Sequence, residues 1–178
     1  FSSCKNKVLY EKEISVIDST KIVLQVKLNE LNRAENNTES IGFVKYETYC
    51  TFLKNNIKDT VIRYEATAIQ QFVNSGKTIE QFMKNKSELI KQTETSIVQL
   101  QKLSSDVKEN NLPLNLVQAY FNSEKSHADE LIKTIEQNIK VFNLSLNNYR
   151  NSIIKTEEYI RKINNGALPS VVPDANIE

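Results

Sequence analysis

The feature that most constrains this chain is an uninterrupted apolar stripe over residues 116–163. Val117, Phe121, Ala128, Leu131, Ile135, Ile139, Phe142, Leu146, Tyr149, Ile153, Ile160 and Ile163 recur in steps of three and four, some of them doubled. That period places them on one side of a single α-helix. A helix of that span is about fifty residues and ~75 Å long at ~1.5 Å per residue. Neither Gly nor Pro interrupts it. Pro113 stands just before it, where a missing N–H costs least, and Gly166 just after it, where helices commonly end. Asp129/Lys133, Glu136/Lys140, Glu157/Arg161 and Glu158/Lys162 place an acid four residues before a base, each pair worth ~0.2–0.5 kcal/mol to the helix. The weakest part is 122–130, where Ala128 is the one apolar side chain, so a break there is the alternative to a continuous rod.

Three further amphipathic stretches precede it. Over 8–36 the stripe is Tyr10, Ile14, Ile17, Leu24, Leu28 and Leu31. Within it Ile22-Val23-Leu24-Gln25-Val26-Lys27-Leu28 shows a strand-like alternation. Helix is the expectation, because the neighbouring sequence offers no strand to pair with. Over 42–74 the stripe is Tyr46, Cys50, Leu53, Ile57, Val61, Tyr64, Ala68 and Phe72, closed by Asn74-Ser75-Gly76. Thr78 and Gln81 then make a capping-box pattern for a third helix over 79–109. That helix carries Ile79, Phe82, Leu89, Ile90, Ile97, Leu100, Leu103 and Val107, with Lys86 and Thr93 close to the stripe and making it uneven. Short connections make sequential helices antiparallel. The chain therefore reads as all-α: an elongated, coiled-coil-like antiparallel four-helix bundle over 8–165 with a long C-terminal helix. A segment 1–7 precedes the bundle, and an extended or disordered tail, 166–178, follows it.

With 178 residues the chain is long enough for a real core, and three Gly and three Pro are too few for a loop-rich or all-β protein. Mean hydropathy is −0.45, and no stretch approaches the ~18 consecutive apolar residues of a membrane span. The net charge is +1 with acids and bases interleaved, so no basic run is present to hold phosphates and no nucleic-acid partner is expected.

The start of the chain is Phe1-Ser2-Ser3-Cys4, followed by Lys5. A bulky apolar residue, two small residues and a cysteine resemble the end of a bacterial lipoprotein signal peptide, although that family usually has Leu where Phe1 stands. The resemblance covers these few positions and leaves the helical body without a family. It implies that Cys4 becomes a mature N-terminus carrying acyl chains, each worth ~0.8 kcal/mol per buried CH₂ as a membrane anchor. Lys5, in place of the Asp associated with inner-membrane retention, points to the outer membrane. An ordinary thiol at Cys4 is the plain alternative.

Catalytic chemistry is not expected. His127 is the sole histidine, and Glu124 precedes it at the spacing used in four-helix metal sites, but no second histidine exists to complete such a site. No metal or cofactor is expected. Cys50, in the second stripe, reads as a buried unpaired thiol. The functional expectation is a non-enzymatic, lipid-anchored envelope protein that works by protein–protein contact. The first alternative is a bundle that holds a small apolar or aromatic molecule between tyrosines; the second is an enzyme using Glu124 and His127.

Register gives a specific docking surface. Pivoting at Asn111-Leu112, Val107 faces Val117, Ile97 faces Ala128, Ile90 faces Ile135 and Ile79 faces Leu146. With the third helix exhausted near Thr78, the fourth overhangs by roughly seventeen residues, ~25 Å. Tyr149, Ile153, Ile154, Tyr159, Ile160 and Ile163 on that overhang would then meet a membrane-bound partner or a second copy, unless a kink near Asn147-Asn148 folds them back.

Overall fold

The structure, a computed structural model, describes residues 10–36, 42–57 and 61–171. Four helices make it up: α1 (Glu11–Asn36), α2 (Phe43–Asn56), α3 (Arg63–Lys108) and α4 (Leu114–Ile163). The fold is an all-α helical bundle, with no strand among the described residues. α4 is one continuous helix of 50 residues, so neither a break at 122–130 nor a kink at Asn147-Asn148 interrupts it. Ala128, alone in its polar run, is completely buried.

The α3–α4 hairpin is closed by local chemistry. Asn110 adopts φ 60°, a conformation Asn tolerates better than most side chains, and Asn111 N–H donates to the Asp106 carbonyl at 2.8 Å. α4 ends the same way. Asn165 and Gly166 have φ 51° and 88°, and Gly166 N–H donates to Arg161 at 2.8 Å.

α3 corrects the sequence reading. The expected stop at Asn74-Ser75-Gly76 does not exist: α3 starts at Arg63 and runs through it for 46 residues, and α2 ends earlier than expected, at Asn56. Thr78 does not cap a helix start; its hydroxyl donates to Asn74 O at 2.9 Å inside α3. Gly76 is buried because of packing. A Cβ there would lie 2.1 Å from Tyr46 Cε2. The glycine is a notch for a tyrosine ring, and no positive φ is involved. In sequence a helix-ending glycine and a notch glycine look alike.

By its contacts the chain forms two compact units: the first from Phe1–Arg33 and Asn85–Ile139, the second from Ala34–Lys84 and Lys140–Glu178. α1 and α2, neighbours in sequence and expected to pair, belong to different units apart from the last turn of α1.

In the first unit α1 packs against the later part of α3 and the earlier part of α4. Its direction follows from three contacts: Tyr10 donates to Leu114 O at 3.1 Å, Lys27 pairs with Glu136 at 3.1 Å, and Asp18 pairs with Lys108 at 3.4 Å. α1 is therefore parallel to α4 and antiparallel to α3. The core here is aliphatic: Ile14, Ile17, Leu24, Leu100, Leu103, Val107, Val117 and Ala128, with Ile97, Phe121 and Leu131 against it. Lys86 and Thr93, the two interruptions of the third stripe, are buried in place; the Thr93 hydroxyl is satisfied by Leu89 O at 2.6 Å.

In the second unit α2 packs against the start of α3 and the end of α4. The α3–α4 register is the expected one: Phe82 stacks on Phe142 with ring centroids 4.4 Å apart, and Lys162 reaches Glu65 at 2.8 Å. α2 contributes Tyr46, Tyr49 and Leu53 to a core with Phe72 and Tyr149, whose rings lie 5.1 to 6.3 Å apart in tilted pairs.

Candidate functional site: the outer face of α1

Correcting α3 removes the expected overhang. The register is as expected, but α3 begins at Arg63 rather than near Thr78, so the end of α4 has a partner along its length. Tyr149, Tyr159 and Ile160 are buried, Ile153 and Ile163 are half-buried, and Ile154 alone stands free at 62% exposure. Tyr149 packs against Phe72 and Tyr46. The stripe left over by the sequence reading is the wall of the second unit's core and is not a free docking surface.

Cys4 lies outside the described residues. Cys50 is a free thiol, half-buried rather than fully buried. Burial raises its pKa, the neighbouring Tyr46 opposes this, and Glu47 and Glu80 add to the rise. The thiol is thus held protonated. His127 is exposed on α4 and lines an open cleft of about 320 Å³ with Glu88, Lys91, Gln92, Thr95, Ser96, Gln99 and Leu131. Glu124 lines a different cleft with Tyr120, Leu112 and Asp106. The structure does not bring the two together on one cleft. Tyr46, Tyr49 and Tyr149 fill the second unit's centre. Tyr46 donates to Val73 O at 3.0 Å and Tyr49 to Glu157 at 3.1 Å. No group of His, Cys, Asp and Glu among the described residues is arranged to hold a metal ion.

One group of exposed apolar side chains clusters on a single face of α1. Its inner positions Ile14, Ile17, Leu24, Leu28 and Leu31 are buried as expected. Its outer positions between Ser15 and Asn29 are Ser15, Ser19, Ile22, Val23, Gln25, Val26 and Asn29, all exposed and all uncharged. Ile22, Val23 and Val26 are 67%, 40% and 49% exposed. The strand-like alternation at 22–28 has a helical explanation. Leu24 and Leu28 face the core, while the β-branched residues between them face out.

The charges of the same segment are drawn to its two flanks. Asp18 is held by Lys21 at 3.2 Å and Lys108 at 3.4 Å, and accepts from the Ser104 hydroxyl. Partial burial works against its ionisation, but the two lysines prevail and hold its carboxyl below the ordinary carboxylate value. Lys21 also donates to Gln101. On the opposite flank Lys27 binds Glu30 and Glu136, each at 3.1 Å. Burial alone would lower its pKa; Glu136 and Glu30 overcome this and raise it. The outer face is therefore a neutral, partly apolar strip between two neutralised edges. A second spacing was present in the sequence from the start: Ser15, Ser19, Ile22, Val26, Asn29 and Arg33 also step by three and four. The stronger inner stripe hid it.

Comparison with protein-family models, with curated proteins and with solved structures finds no match.

Proposed function

We propose that this chain is a non-enzymatic protein of the bacterial cell envelope, anchored by lipid on Cys4, that works through protein–protein contact as an accessory subunit of an outer-membrane or secretion assembly. The anchor rests on Phe1-Ser2-Ser3-Cys4 and on Lys5. The observation that supports the contact role is the outer face of α1, where exposed β-branched side chains lie in a strip without charge. Soluble proteins place charged residues on solvated helix faces, and an uncharged apolar strip marks an interaction surface. α1 begins at Glu11, a few residues after Cys4, so an anchor there would keep this face close to the membrane. No helix among the described residues is long and apolar enough to cross a membrane, and in this reading attachment is the work of the lipid.

Intact-mass measurement of the protein purified from its native membrane tests the anchor. The expected result is a chain starting at Cys4 with the added mass of a diacylglyceryl group and an acyl chain. A free Cys4 thiol behind an intact Phe1 refutes it.

A further inference from the structure

We infer that the outer face of α1 is the seam of an antiparallel contact with the same face of a second copy of this chain. The inference rests on the protein-contact reading above and names the partner for it.

The outer positions Ser15, Ser19, Ile22, Val26, Asn29 and Arg33 are separated by four, three, four, three and four residues. That is the knob spacing of a coiled-coil seam, and every one of them is exposed. The order of residue types is close to symmetric about the midpoint of Ile22 and Val26. Turned end for end against a second copy, Ile22 meets Val26, Ser19 meets Asn29 and Ser15 meets Arg33. Apolar residues meet at the centre and polar residues outside it. This is the self-complementarity that a two-fold, isologous contact requires.

Charge supports the same register. In a two-fold antiparallel pair, each flank of a helix meets the same flank of its copy. Arg33 of one copy comes level with Ser15 of the other, about one turn from its Glu11. On the α4 side, Glu30 comes within two turns of Lys12. These pairs are of opposite sign, and no like charges are brought opposite one another at the centre, where the exposed face has none. A parallel pairing in register would place Arg33 beside Arg33 and Lys12 beside Lys12. One helix face is a small contact, at the low end of interfaces below about 1,200 Å². The pair is therefore weak in dilute solution, and tethering two copies to one membrane through the proposed anchor would raise their effective concentration.

The test uses the full chain without lipid, in a Cys4→Ser, Cys50→Ala background. Ile22→Cys and Val26→Cys chains are mixed and oxidised mildly. The expected outcome is that the mixed 22–26 disulfide outruns the 22–22 and 26–26 products, which the antiparallel register offsets by about 6 Å along the helix at ~1.5 Å per residue. Sedimentation equilibrium of the same background without the new cysteines should show a concentration-dependent dimer. Ile22→Glu should weaken it about ten-fold or more, since it buries an unpaired charge at the centre of the seam. Ile154→Glu, an equally exposed isoleucine in the second unit, should leave it unchanged. Circular dichroism checks that both variants keep their helix content, which is expected because both sites are solvent-facing. The inference is overturned by a chain that stays monomeric at all attainable concentrations, by faster 22–22 and 26–26 crosslinking, or by a dimer that Ile22→Glu does not weaken. Because these measurements need no lipid, a pairing chain whose native Cys4 is unacylated refutes the anchor and keeps the seam, and an acylated chain that never pairs does the reverse.

Discussion

The two units are built on the same pair of helices, α3 and α4, and yet their cores differ. In the first, α1, a 26-residue helix that belongs to this unit up to Arg33, closes the hairpin with aliphatic side chains. In the second, α2 offers 14 residues and closes it with tyrosines. Every aromatic side chain that is buried among the described residues belongs to the second unit: Tyr46, Tyr49, Phe72, Phe82, Phe142, Tyr149 and Tyr159. Length accounts for the difference. A 14-residue helix is marginal in isolation, and α2 starts at Gly42 without a side-chain cap. Few residues must then supply all of its attachment, and aromatic rings bury the most area per residue. The hydroxyls add direction: Tyr46 is fixed by Val73 O, and Tyr49 by Glu157, which Lys45 also holds at 2.6 Å. A long helix distributes its attachment over many small contacts, whereas a short one concentrates it in keyed contacts.

The largest expected effect concentrates on one ring. Phe72 is fully buried and touches Tyr46, Tyr49 and Tyr149. Phe72→Ala should cost ~3–5 kcal/mol, as large aromatic truncations do. Hydrogen exchange should show the loss first in α2 and the adjoining parts of α3 and α4, with 11–33 and 85–107 still protected. Uniform loss of protection along the whole chain would erase the distinction between the units.

Next comes the notch. Gly76→Ala gains up to about 1 kcal/mol of helix propensity but drives a Cβ into the Tyr46 ring, and overpacking of this kind costs ~1–3 kcal/mol. The net is expected to be destabilising in thermal melts, and it should become neutral or stabilising in a Tyr46→Leu background. If Gly76→Ala stabilises the parent chain, the notch account is wrong.

pH separates the units more gently. Burial, followed by the Glu157 carboxylate, pushes Tyr49 up to about 12 from 10.0, and burial pushes Tyr46 and Tyr149 up as well. A raised folded-state pKa means stability that is complete below the unfolded value and lost as pH rises through the folded one. The second unit should therefore loosen between about pH 10 and pH 12, followed by tyrosinate absorbance near 295 nm and exchange in α2. Asp18, in the first unit, has the opposite sign. Its carboxyl lies below 3.8, so its contribution is present above that value and fades as pH falls through the folded one.

The smallest effect is at the edge of α1. Lys27 ties Glu30 and Glu136, two partly exposed carboxylates. Lys27→Met should change stability by about 1 kcal/mol or less, with the difference shrinking in high salt. A loss comparable to that of Phe72→Ala would mean that the first unit also hangs on a key.

The α4 stripe, the α3–α4 register and the inner face of α1 were legible in the sequence because each rests on local periodicity, and period 3.6 fixes which residues share a face before any neighbour is known. Even the isolated Ala128 fell where the pattern put it. The start of α3 was not legible. Asn74-Ser75-Gly76 has the composition of a helix stop, and only the Tyr46 ring lying on Gly76 shows that the glycine answers to another helix. From that one boundary followed the overhang at 149–163, where the structure instead buries Tyr149, Tyr159 and Ile160. The sequence by itself determined an all-helical chain and the inner faces of α1, the later part of α3 and α4, whereas the stripe read over 42–74 is split between α2 and α3, with Ile57 and Tyr64 exposed. Which faces meet was decided by tertiary structure, because burial depends on which helix lies opposite. α3 continues through Gly76 to cover Tyr149 and Ile160, while Ile22, Val23 and Val26 are left outside.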